Sequence, residues 1–333
     1  MNERRPLVIL GMPVYNGSNY VAAAIEAILA QTFTDFELLI CDNASTDDTE
    51  QICRRYAAGD ERIRYHRNER NIGAGPNFNL VFEMAKGRSR YFKWCSHDDL
   101  LAPSYLERCI AALEANPDAV LCQSLVRRID ADGTSLGVYD SELHAANARS
   151  VSKRFAALIT ARHWATETFG VVRSDALAKT ILIQPYFASD QATCAELALL
   201  GRFVQVPEPL FMNRDHPSRC VRSNYTDRRA ARRWYLGDAA TKPRLSDLCH
   251  LWMLYVEYWR MVRRHVPGRT DRLFCYTHLI HWPFIHWYGV QLLLEPISAY
   301  DPRIMDLAAQ VKKRLFGQAR VAFTDETNQS LRH

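Results

Sequence analysis

The fold is decided by two stretches of sequence: LVILGMPVYNGSNY at residues 7–20 and FELLICDNASTDDT at residues 36–49. Each stretch begins with a short apolar run and passes directly into a polar turn. Such a run is typical of a parallel strand that is buried on both faces. Between the two runs, Val21, Ile25 and Ile28 recur at helical spacing. The stretches therefore predict a strand, a crossover helix and a second, parallel strand.

This alternation of strand and helix continues along the chain to about residue 125. It predicts an α/β protein with a doubly wound, mostly parallel sheet flanked by helices. A hairpin signal follows at residues 130–133 (DADG). The strand at 202–206 is expected to end at Pro207-Glu208-Pro209. The expected elements are strands at 62–66, 90–95, 119–125, 168–173 and 202–206, and helices at about 46–58, 77–86, 103–115, 174–182 and 190–200.

The C-terminal third has a different pattern. From about residue 226 the chain is mostly helical and aromatic, which predicts a catalytic domain over residues 1–225 and a helical extension with a polar tail over residues 226–333. Residues 274–294 carry no formal charge and are about long enough to cross a bilayer. Their histidines and Pro283 disfavour that use. A buried helix pair, a dimer face and a membrane-surface helix stay open as interpretations.

The composition is that of a globular protein with a small positive excess. The net charge is +5, and Arg and Lys cluster in residues 219–233 and 260–272. No nucleic-acid-binding motif surrounds these clusters, so we expect an anionic substrate or an anionic membrane surface as partner, and no nucleic acid. The nine cysteines form no Cys-x-x-Cys pair, and no secretion signal is found. These features predict free thiols in a reducing cytoplasm.

Two adjacent acids, Asp98 and Asp99, follow the predicted strand at 90–95. Ligands of doubly wound sheets bind at the carboxyl ends of the strands, so these side chains are expected at the binding edge. Hard oxygen ligands suit Mg²⁺ or Mn²⁺, and such a metal would neutralise charge on a diphosphate leaving group. The same pair could instead cap the helix that follows.

Polar loops follow two other predicted strands. Asp42 can accept the ring N–H of uracil, thymine or guanine, although Asp42-Asn43 would also form an Asx turn. In PVYNGSNY, backbone groups can hydrogen-bond a base while Tyr15 stacks on it. In NIGAGPNFN, Gly73 allows a close backbone approach. The polar contacts offered by that loop are Asn71 and Asn77.

Two further candidates lie beyond the doubly wound region. Asp190 begins a helix, where it could act as general base toward an acceptor hydroxyl or serve as the helix N-cap. His216 lies among Arg214, Arg219 and Arg222. The histidine could be a metal ligand and the arginines could hold a diphosphate, or the segment could be a solvated basic loop.

The ordered set PVYNGSNY, ELLICDNASTDDT, RNIGAGPN and HDD resembles the family 2 glycosyltransferases over about residues 6–215. The resemblance implies a GT-A type fold that transfers a sugar, with inversion, from a nucleoside-diphosphate donor such as a UDP-sugar. It implies a saccharide or lipid-linked acceptor, a divalent metal (Mg or Mn), and a role in surface polysaccharide or glycoconjugate synthesis. We expect a cytoplasmic enzyme. Peripheral contact with the inner face of the membrane and a homodimer through the C-terminal helices stay open.

The resemblance also implies a role for individual residues. Asp190 matches the catalytic base, while Asp99 and His216 match the metal side of the site. The segment TFGVVR, which ends at Arg173, resembles the acceptor-side segment. The nucleotide-sugar-binding residues implied are Pro13, Val14, Tyr15, Asn16, Asp42, Asn43, Asn71, Gly73, Asn77 and Asp98. The acceptor or diphosphate residues implied are Arg173, Arg219 and Arg222.

Two departures from the family pattern keep other interpretations open. Ser96 and His97 stand where an outer acid would precede Asp98, which weakens the expected metal site. Ser189 stands where a glutamate would precede the base. A non-catalytic nucleotide-sugar binder and a sugar nucleotidyltransferase are the alternatives. The transferase interpretation requires the acids of the three motifs to converge at one edge of the sheet, around a shared cavity.

Overall fold

The computed structural model describes residues 5–161, 163–186, 188–217, 234–237, 249–285 and 288–298. A single sheet organises the α/β part of these residues. Its strands are β1 (Val8–Val14), β2 (Phe36–Asp42), β3 (Ile63–Arg67), β4 (Tyr91–Trp94), β5 (Leu100–Leu101), β6 (Ala119–Ile129), β7 (Ser135–Tyr139), β8 (Val171–Arg173) and β9 (Arg202–Arg214).

The strand order is β3-β2-β1-β4-β8-β6-β9-β5, with β7 paired to the outer part of β6. The first four strands are parallel, as the sequence predicts. The short strand β8 then runs antiparallel to both β4 and β6, while β6 and β9 pair in parallel. The sheet is therefore mixed. Its long pairings are parallel, and the antiparallel ones involve β5, β7 and β8.

Helices cover both faces of the sheet. In β1 the side chains of Val8, Leu10 and Met12 enter one core, while Ile9 enters the other, as the period of two requires. Among the described residues, the α-helices with defined bounds are α1 (Val21–Leu29), α2 (Thr49–Gly59), α3 (Ala74–Ala85), α4 (Tyr105–Ala115), α5 (Val151–Thr160), α6 (Ser174–Leu177), α7 (Ser189–Leu200), α8 (His250–His265), α9 (Arg269–His281) and α10 (Tyr288–Ser298).

Strand β9 is longer than the sequence predicts. Instead of ending at Pro207, it continues to Arg214 alongside β6. Val206 lies beside Ser124 and Phe211 beside Val126, so residues 207–210 bulge out of the ladder between them. Because proline has no N–H to donate, the bulge removes the two prolines from positions where the ladder would need one. The strand thereby reaches the carboxyl edge of the sheet.

The predicted elements at 168–182 are shorter in the structure. A 3₁₀ turn (Thr166–Phe169) replaces the first part of the predicted strand, so that only β8 is extended. The predicted helix at 174–182 ends with α6 at Leu177. Beyond Leu177, the backbone N–H of Ile181 donates to the buried Glu196 carboxylate at 2.7 Å, and not to a helical carbonyl. The hairpin at residues 130–133 is confirmed.

The C-terminal helices share a core with the sheet. Tyr258 and Met261 of α8 belong to the same cluster of buried side chains as Ile9 and Phe82. The Trp282 indole N–H donates to the carbonyl of Ile159 at 2.9 Å. None of the helices within the described ranges is both long and apolar enough to cross a bilayer. The predicted boundary at residue 225 lies outside the described residues.

Candidate active site

The topology brings three acidic motifs to one edge of the sheet. Asp42 is the last residue of β2, and Asp98 and Asp99 follow β4, which is parallel to it. Helix α7 leads through Gly201 into β9, whose first residue lies beside the start of β6. The end of α7 is therefore at the amino edge, and its first turn, with Asp190, is at the carboxyl edge, about 18 Å away. A shared cavity for the three carboxyls stays a prediction.

The end of β9 holds Asp99. Its two carboxylate oxygens each accept from the side-chain amide of Asn213 at 3.1 Å, and one accepts from the Arg214 backbone N–H at 2.8 Å. Helix α4 begins at Tyr105, and its N-cap residue is Ser104. The interpretation of Asp98 and Asp99 as caps of that helix is therefore wrong. The acids are instead fixed at the strand end by a neighbouring strand.

Asp98 is paired with His216. The His216 Nε2 and an Asp98 carboxylate oxygen are 3.0 Å apart, and the Ser96 hydroxyl also donates to this carboxylate. Burial alone would raise the pKa of Asp98, but the hydrogen bonds from His216 and Ser96 and the charge of His97 outweigh it. The resulting pKa lies well below the ordinary value. Asp98 therefore stays anionic, and the contact uses one of the two His216 ring nitrogens.

Arg214 acts as a structural tie. Its guanidinium donates to the carbonyls of Asp98, Asp130 and Ala131 and lies 4.8 Å from the centre of the Tyr20 ring. The guanidinium links the β6–β7 turn to the loop that carries Asp98, and the Arg214 side chain is buried. Arg219 and Arg222 lie outside the described residues, so their predicted roles remain predictions.

Asp42 is completely buried and already bound. Its carboxylate accepts from the Ser45 backbone N–H at 2.8 Å and from the Tyr65 hydroxyl at 2.6 Å. Arg67 approaches it at 3.5 Å. The bond from Ser45 spans three residues, whereas an Asx turn spans two, so this contact is not the Asx turn considered from the sequence. Recognition of a base by Asp42 stays a prediction.

An asparagine network supports the neighbouring loop. The Asn43 side chain donates to Asn71 and accepts from the Ile72 backbone N–H, each at 2.9 Å. Asn68 bridges Asn43 and Asn77, with 3.0 Å to each. The residues expected to contact a nucleotide thus also hold the loop shape. Asn68 and Ile72 were not singled out by the sequence patterns.

The backbone comes close to Gly73, as the sequence predicts, but the neighbour is another segment of the same chain. Its φ is +90°, and a Cβ there would collide with the backbone of Tyr235 and Leu236. A loop residue of this kind tolerates only glycine. The approach of a nucleotide to Gly73 stays a prediction.

Replacing Gly73 by alanine is expected to lower the free energy of unfolding by about 2–4 kcal/mol, because backbone strain and a backbone clash add. Two other glycines serve as controls. Gly87 has a φ of +74° but open space around it, so its alanine variant measures backbone strain without a clash. Gly59 has neither a positive φ nor a clash. Urea unfolding should rank the alanine variants Gly73 worst, then Gly87, then Gly59. Equal losses at Gly73 and Gly87 would remove the clash from the explanation.

The loop after β1 is fastened to the loop after β2. Pro13 and Val14 are buried in the strand, whereas Tyr15 is exposed. Asn16 has a φ of +50°, and its side-chain oxygen accepts from the Thr46 backbone N–H at 2.8 Å. The Tyr15 ring is thus carried on a fixed backbone and faces solvent, which a stacking role requires.

Asp190 lies in the first turn of α7, but it is not the cap. The N-cap residue is Ala188, in a left-handed conformation, and the Asp190 carboxylate accepts from the Gln191 backbone N–H at 2.8 Å. Burial raises the pKa of Asp190, and this outweighs the hydrogen bond and the nearby His163 charge. His163 and Glu167, which lie near it, were missed by the sequence patterns.

Arg173 does not belong to this edge. It ends β8, which runs antiparallel to its neighbours, and it lies beside Tyr91, the first residue of β4. Its guanidinium donates to the carbonyls of Ala119 and Leu113 at 2.7 and 2.8 Å. The prediction that Arg173 contacts the acceptor or diphosphate is wrong, because β8 delivers it to the amino edge of the sheet.

Comparison with known proteins agrees with this geometry. The model of the family "Glycosyl transferase family 2" matches residues 10–177, half of the 333-residue chain. The chain belongs to glycosyltransferase family 2. The matched range contains the acids of the β2 and β4 loops, whereas Asp190 and His216 lie beyond it.

Several known proteins are similar to part of this chain. Chondroitin synthase of Escherichia coli is 34% identical over 131 residues, which is 39% of this chain and 19% of that protein. An uncharacterised glycosyltransferase of Rickettsia typhi is 38% identical over 122 residues, 36% of each protein. The chain thus spans about a fifth to a third of the length of these relatives.

Solved structures establish the fold. TarS 1–349 of S. aureus in complex with UDP-GlcNAc has a TM-score of 0.60 at 16% identity, with 89% of this chain and 82% of that chain covered. The mannosyltransferase PcManGT of Pyrobaculum calidifontis, in complex with GDP-Man and Mn²⁺, has a TM-score of 0.50 at 16% identity, with 94% and 88% covered. The GT-A type fold of the family 2 enzymes, with helices after the sheet, is confirmed.

Proposed function

We propose that this family 2 member transfers a sugar from a nucleoside-diphosphate donor to an acceptor hydroxyl, with inversion, in surface polysaccharide or glycoconjugate synthesis. The observation that supports this most directly is the arrangement of two acids at one sheet edge. Asp99 follows β4 in the chain and is bound by residues at the end of β9. Asp190 lies in the first turn of α7, the helix that leads into β9. One chain segment thus connects the base to the residues that hold the donor-side acid.

Asp190 is the base in this proposal. It would accept the proton of the acceptor hydroxyl as that oxygen attacks the anomeric carbon, while the diphosphate leaves from the opposite side. Burial raises the pKa of Asp190, which makes the carboxylate a stronger base than an exposed aspartate. A single base with direct displacement gives inversion. Alignment of the two sugars supplies much of the remaining acceleration.

A divalent cation fits the acids of the β4 loop. Asp99 offers a carboxylate, and Asn213 Oδ1 beside it is buried without a hydrogen-bond partner among the described residues. The described residues contain no group of three His, Cys, Asp or Glu side chains placed to hold a metal. Asp99, with Asn213 and the free nitrogen of His216, would hold Mg²⁺ or Mn²⁺ together with the donor phosphates. Bound there, the metal would supply charge neutralisation for the leaving diphosphate.

A UDP-sugar is the proposed donor. TarS, which shares the fold, binds UDP-GlcNAc, and Asp42 with the exposed Tyr15 ring suits a uracil base. The nucleotide contacts proposed for Asn16, Asn43, Asn71, Gly73, Asn77 and Asp98 rest on the family resemblance. Arg219 and Arg222 are proposed diphosphate contacts on the same ground.

Two alternatives are less well supported. A nucleotidyltransferase would need a Gly-rich phosphate loop after β1, whereas the loop there is fixed by Ser45 and Thr46. A non-catalytic binder would have no need of an acid at position 190, which the structure carries without a capping role.

The proposed catalytic unit is residues 1–225, followed by a helical extension over residues 226–333. The helices of that extension carry exposed apolar side chains, among them Leu273, Phe284 and Leu293. Together with Arg260, these side chains suit peripheral contact with an anionic inner membrane surface that presents a lipid-linked acceptor. A homodimer through the same helices is the other use. Vesicle co-sedimentation and gel filtration separate the two.

Donor binding tests the proposal before any acceptor is known. UDP with Mn²⁺ is expected to raise the melting temperature by on the order of 5 °C at about 100 times Kd, because a ligand that binds only the folded state stabilises it. Chelation with EDTA should remove most of that shift, and uridine serves as the control without phosphates. If no nucleoside diphosphate raises the melting temperature, with or without metal, the donor site proposed here is wrong.

A further inference from the structure

A buried ion pair lies behind the proposed base. His163 Nδ1 is 3.3 Å from a carboxylate oxygen of Glu167, and both side chains are completely buried. The other ring nitrogen, Nε2, is 3.1 Å from the carbonyl oxygen of Leu158. Glu167 belongs to the 3₁₀ turn that precedes β8, at the same sheet edge as the first turn of α7.

His163 is the largest support for the Glu167 charge, and hydrogen bonds from Ser141 and from the Glu167 backbone lower the pKa of Glu167 less. The second carboxylate oxygen of Glu167 is buried without a hydrogen-bond partner among the described residues. An ionised carboxylate in that position is costly unless a counter-charge is close. Burial opposes both charges, yet hydrogen bonding and attraction between the two raise the pKa of His163 and lower the pKa of Glu167. Acceptors face both ring nitrogens of His163, which favours an imidazolium over the neutral ring, although the Ala165 backbone N–H also lies 3.2 Å from Nδ1.

The pair is in contact with the turn that carries Asp190. The Gln191 side-chain amide donates to the His163 carbonyl at 3.4 Å, and the Thr168 hydroxyl is 3.3 Å from the Cys194 sulfur of α7. The His163 charge lowers the pKa of Asp190, and the weaker effect of Glu167 raises it.

The other titratable groups that face these three are thiols and phenols. Besides burial, the charge of Asp190 raises the pKa of Cys194 in α7 and of Tyr258 in α8. The charge of Glu167 likewise raises the pKa of Tyr139 in β7. Burial raises the pKa of each above its ordinary value, so these groups stay neutral. His163 is thus a cation that lowers the pKa of both carboxylates.

We propose that His163 is a positioning residue. Its imidazolium, whose ring is fixed by Glu167, allows Glu167 and Asp190 to be ionised at the same time. Asp190 is then ready to accept a proton. This inference rests on the proposed function only in naming Asp190 as the base. The pair itself touches no substrate in the proposal.

The test is a double-mutant cycle with His163→Gln and Glu167→Gln in the full chain. Glutamine at 163 keeps a donor but removes the charge, which leaves two buried carboxylates without a cation. The acid limb of kcat/KM is expected to move up by about one pH unit. The double variant removes the second carboxylate as well, and it should recover at least half of the shift and much of the lost melting temperature.

Several results would overturn the inference. An unmoved acid limb in His163→Gln, or the same shift in the double variant, would leave the pair without a positioning role. A recovered melting temperature with no movement of the limb would make the pair purely structural. If His163→Gln does not fold, the Asp190 carboxyl is titrated by carbon-13 NMR in Glu167→Gln and in the native chain. With the opposing carboxylate removed, the His163 charge should lower the pKa of Asp190 further, and equal pKa values would contradict the proposal.

The NMR titration also separates this inference from the proposed function, since it needs no sugar transfer. Asp190→Asn identifies the resonance. If transfer is unaffected by that change, the proposed base is wrong, whatever the titration shows. If transfer needs Asp190 but its pKa is insensitive to His163, only the positioning role fails.

Discussion

Replacing Asp190 by asparagine is expected to lower kcat for sugar transfer by about 10²- to 10⁴-fold, the range contributed by a general base. Asparagine keeps the side-chain oxygen that accepts from the Gln191 backbone N–H, so the first turn of α7 should be retained. The donor shift in melting temperature should also be retained, because Asp190 is placed on the acceptor side. Initial rates of transfer from a UDP-sugar, with and without Mn²⁺, measure the effect.

Asp175 provides a matched control. It also stands in the first turn of a helix, α6, but is exposed and lies near the opposite edge of the sheet, after Arg173. Asp175→Asn should leave kcat within about twofold, as expected for a surface substitution that removes no buried contact. Equal rates for the native chain and Asp190→Asn would exclude Asp190 from the chemistry and favour another base.

Replacing Glu196 by glutamine is expected to lower the free energy of unfolding by about 3 kcal/mol. Its carboxylate is completely buried in α7 and accepts from Arg264 at 2.5 Å, His265 at 2.7 Å and the Ile181 N–H at 2.7 Å. The change leaves the Arg264 guanidinium of α8 beside a neutral amide. The value is at the low end for a buried pair because Arg264 is partly exposed.

Urea unfolding measures this loss, and Glu83→Gln is the control. Glu83 pairs with Lys86 at the surface of α3, where both side chains are about half exposed, and such pairs contribute about 0–1 kcal/mol. If Glu196→Gln is as mild as Glu83→Gln, the junction between α7 and α8 depends on apolar packing and not on this ion network.

The first half of the fold could be predicted from local pattern. The apolar runs in β1 and β2 and the polar turns after them are sufficient to predict parallel strands with ligand-binding ends. The same argument placed Asp98 and Asp99 correctly. It failed at Arg173, because the direction of a three-residue strand such as β8 is set by its neighbours and not by its own sequence. The direction decides which edge receives the arginine.

Other features depend on contacts that are distant in sequence. The continuation of β9 past its prolines depends on the pairing with β6, so a local breaker signal was misleading. The pair of His163 and Glu167 has helical spacing but lies in a turn, and only tertiary burial distinguishes it from two surface residues. Asn213 was missed for the same reason, since nothing in the sequence links it to Asp99.

The bulge at residues 207–210 determines to which face of the sheet each later side chain of β9 points. Side chains alternate between the two faces of a strand, so removing one residue from the bulge would exchange the faces of Asn213 and Arg214. The amide that holds Asp99 would then point away from it, although no residue of the site had changed. Changes in the length of this loop are therefore constrained by a partner at the far end of the strand.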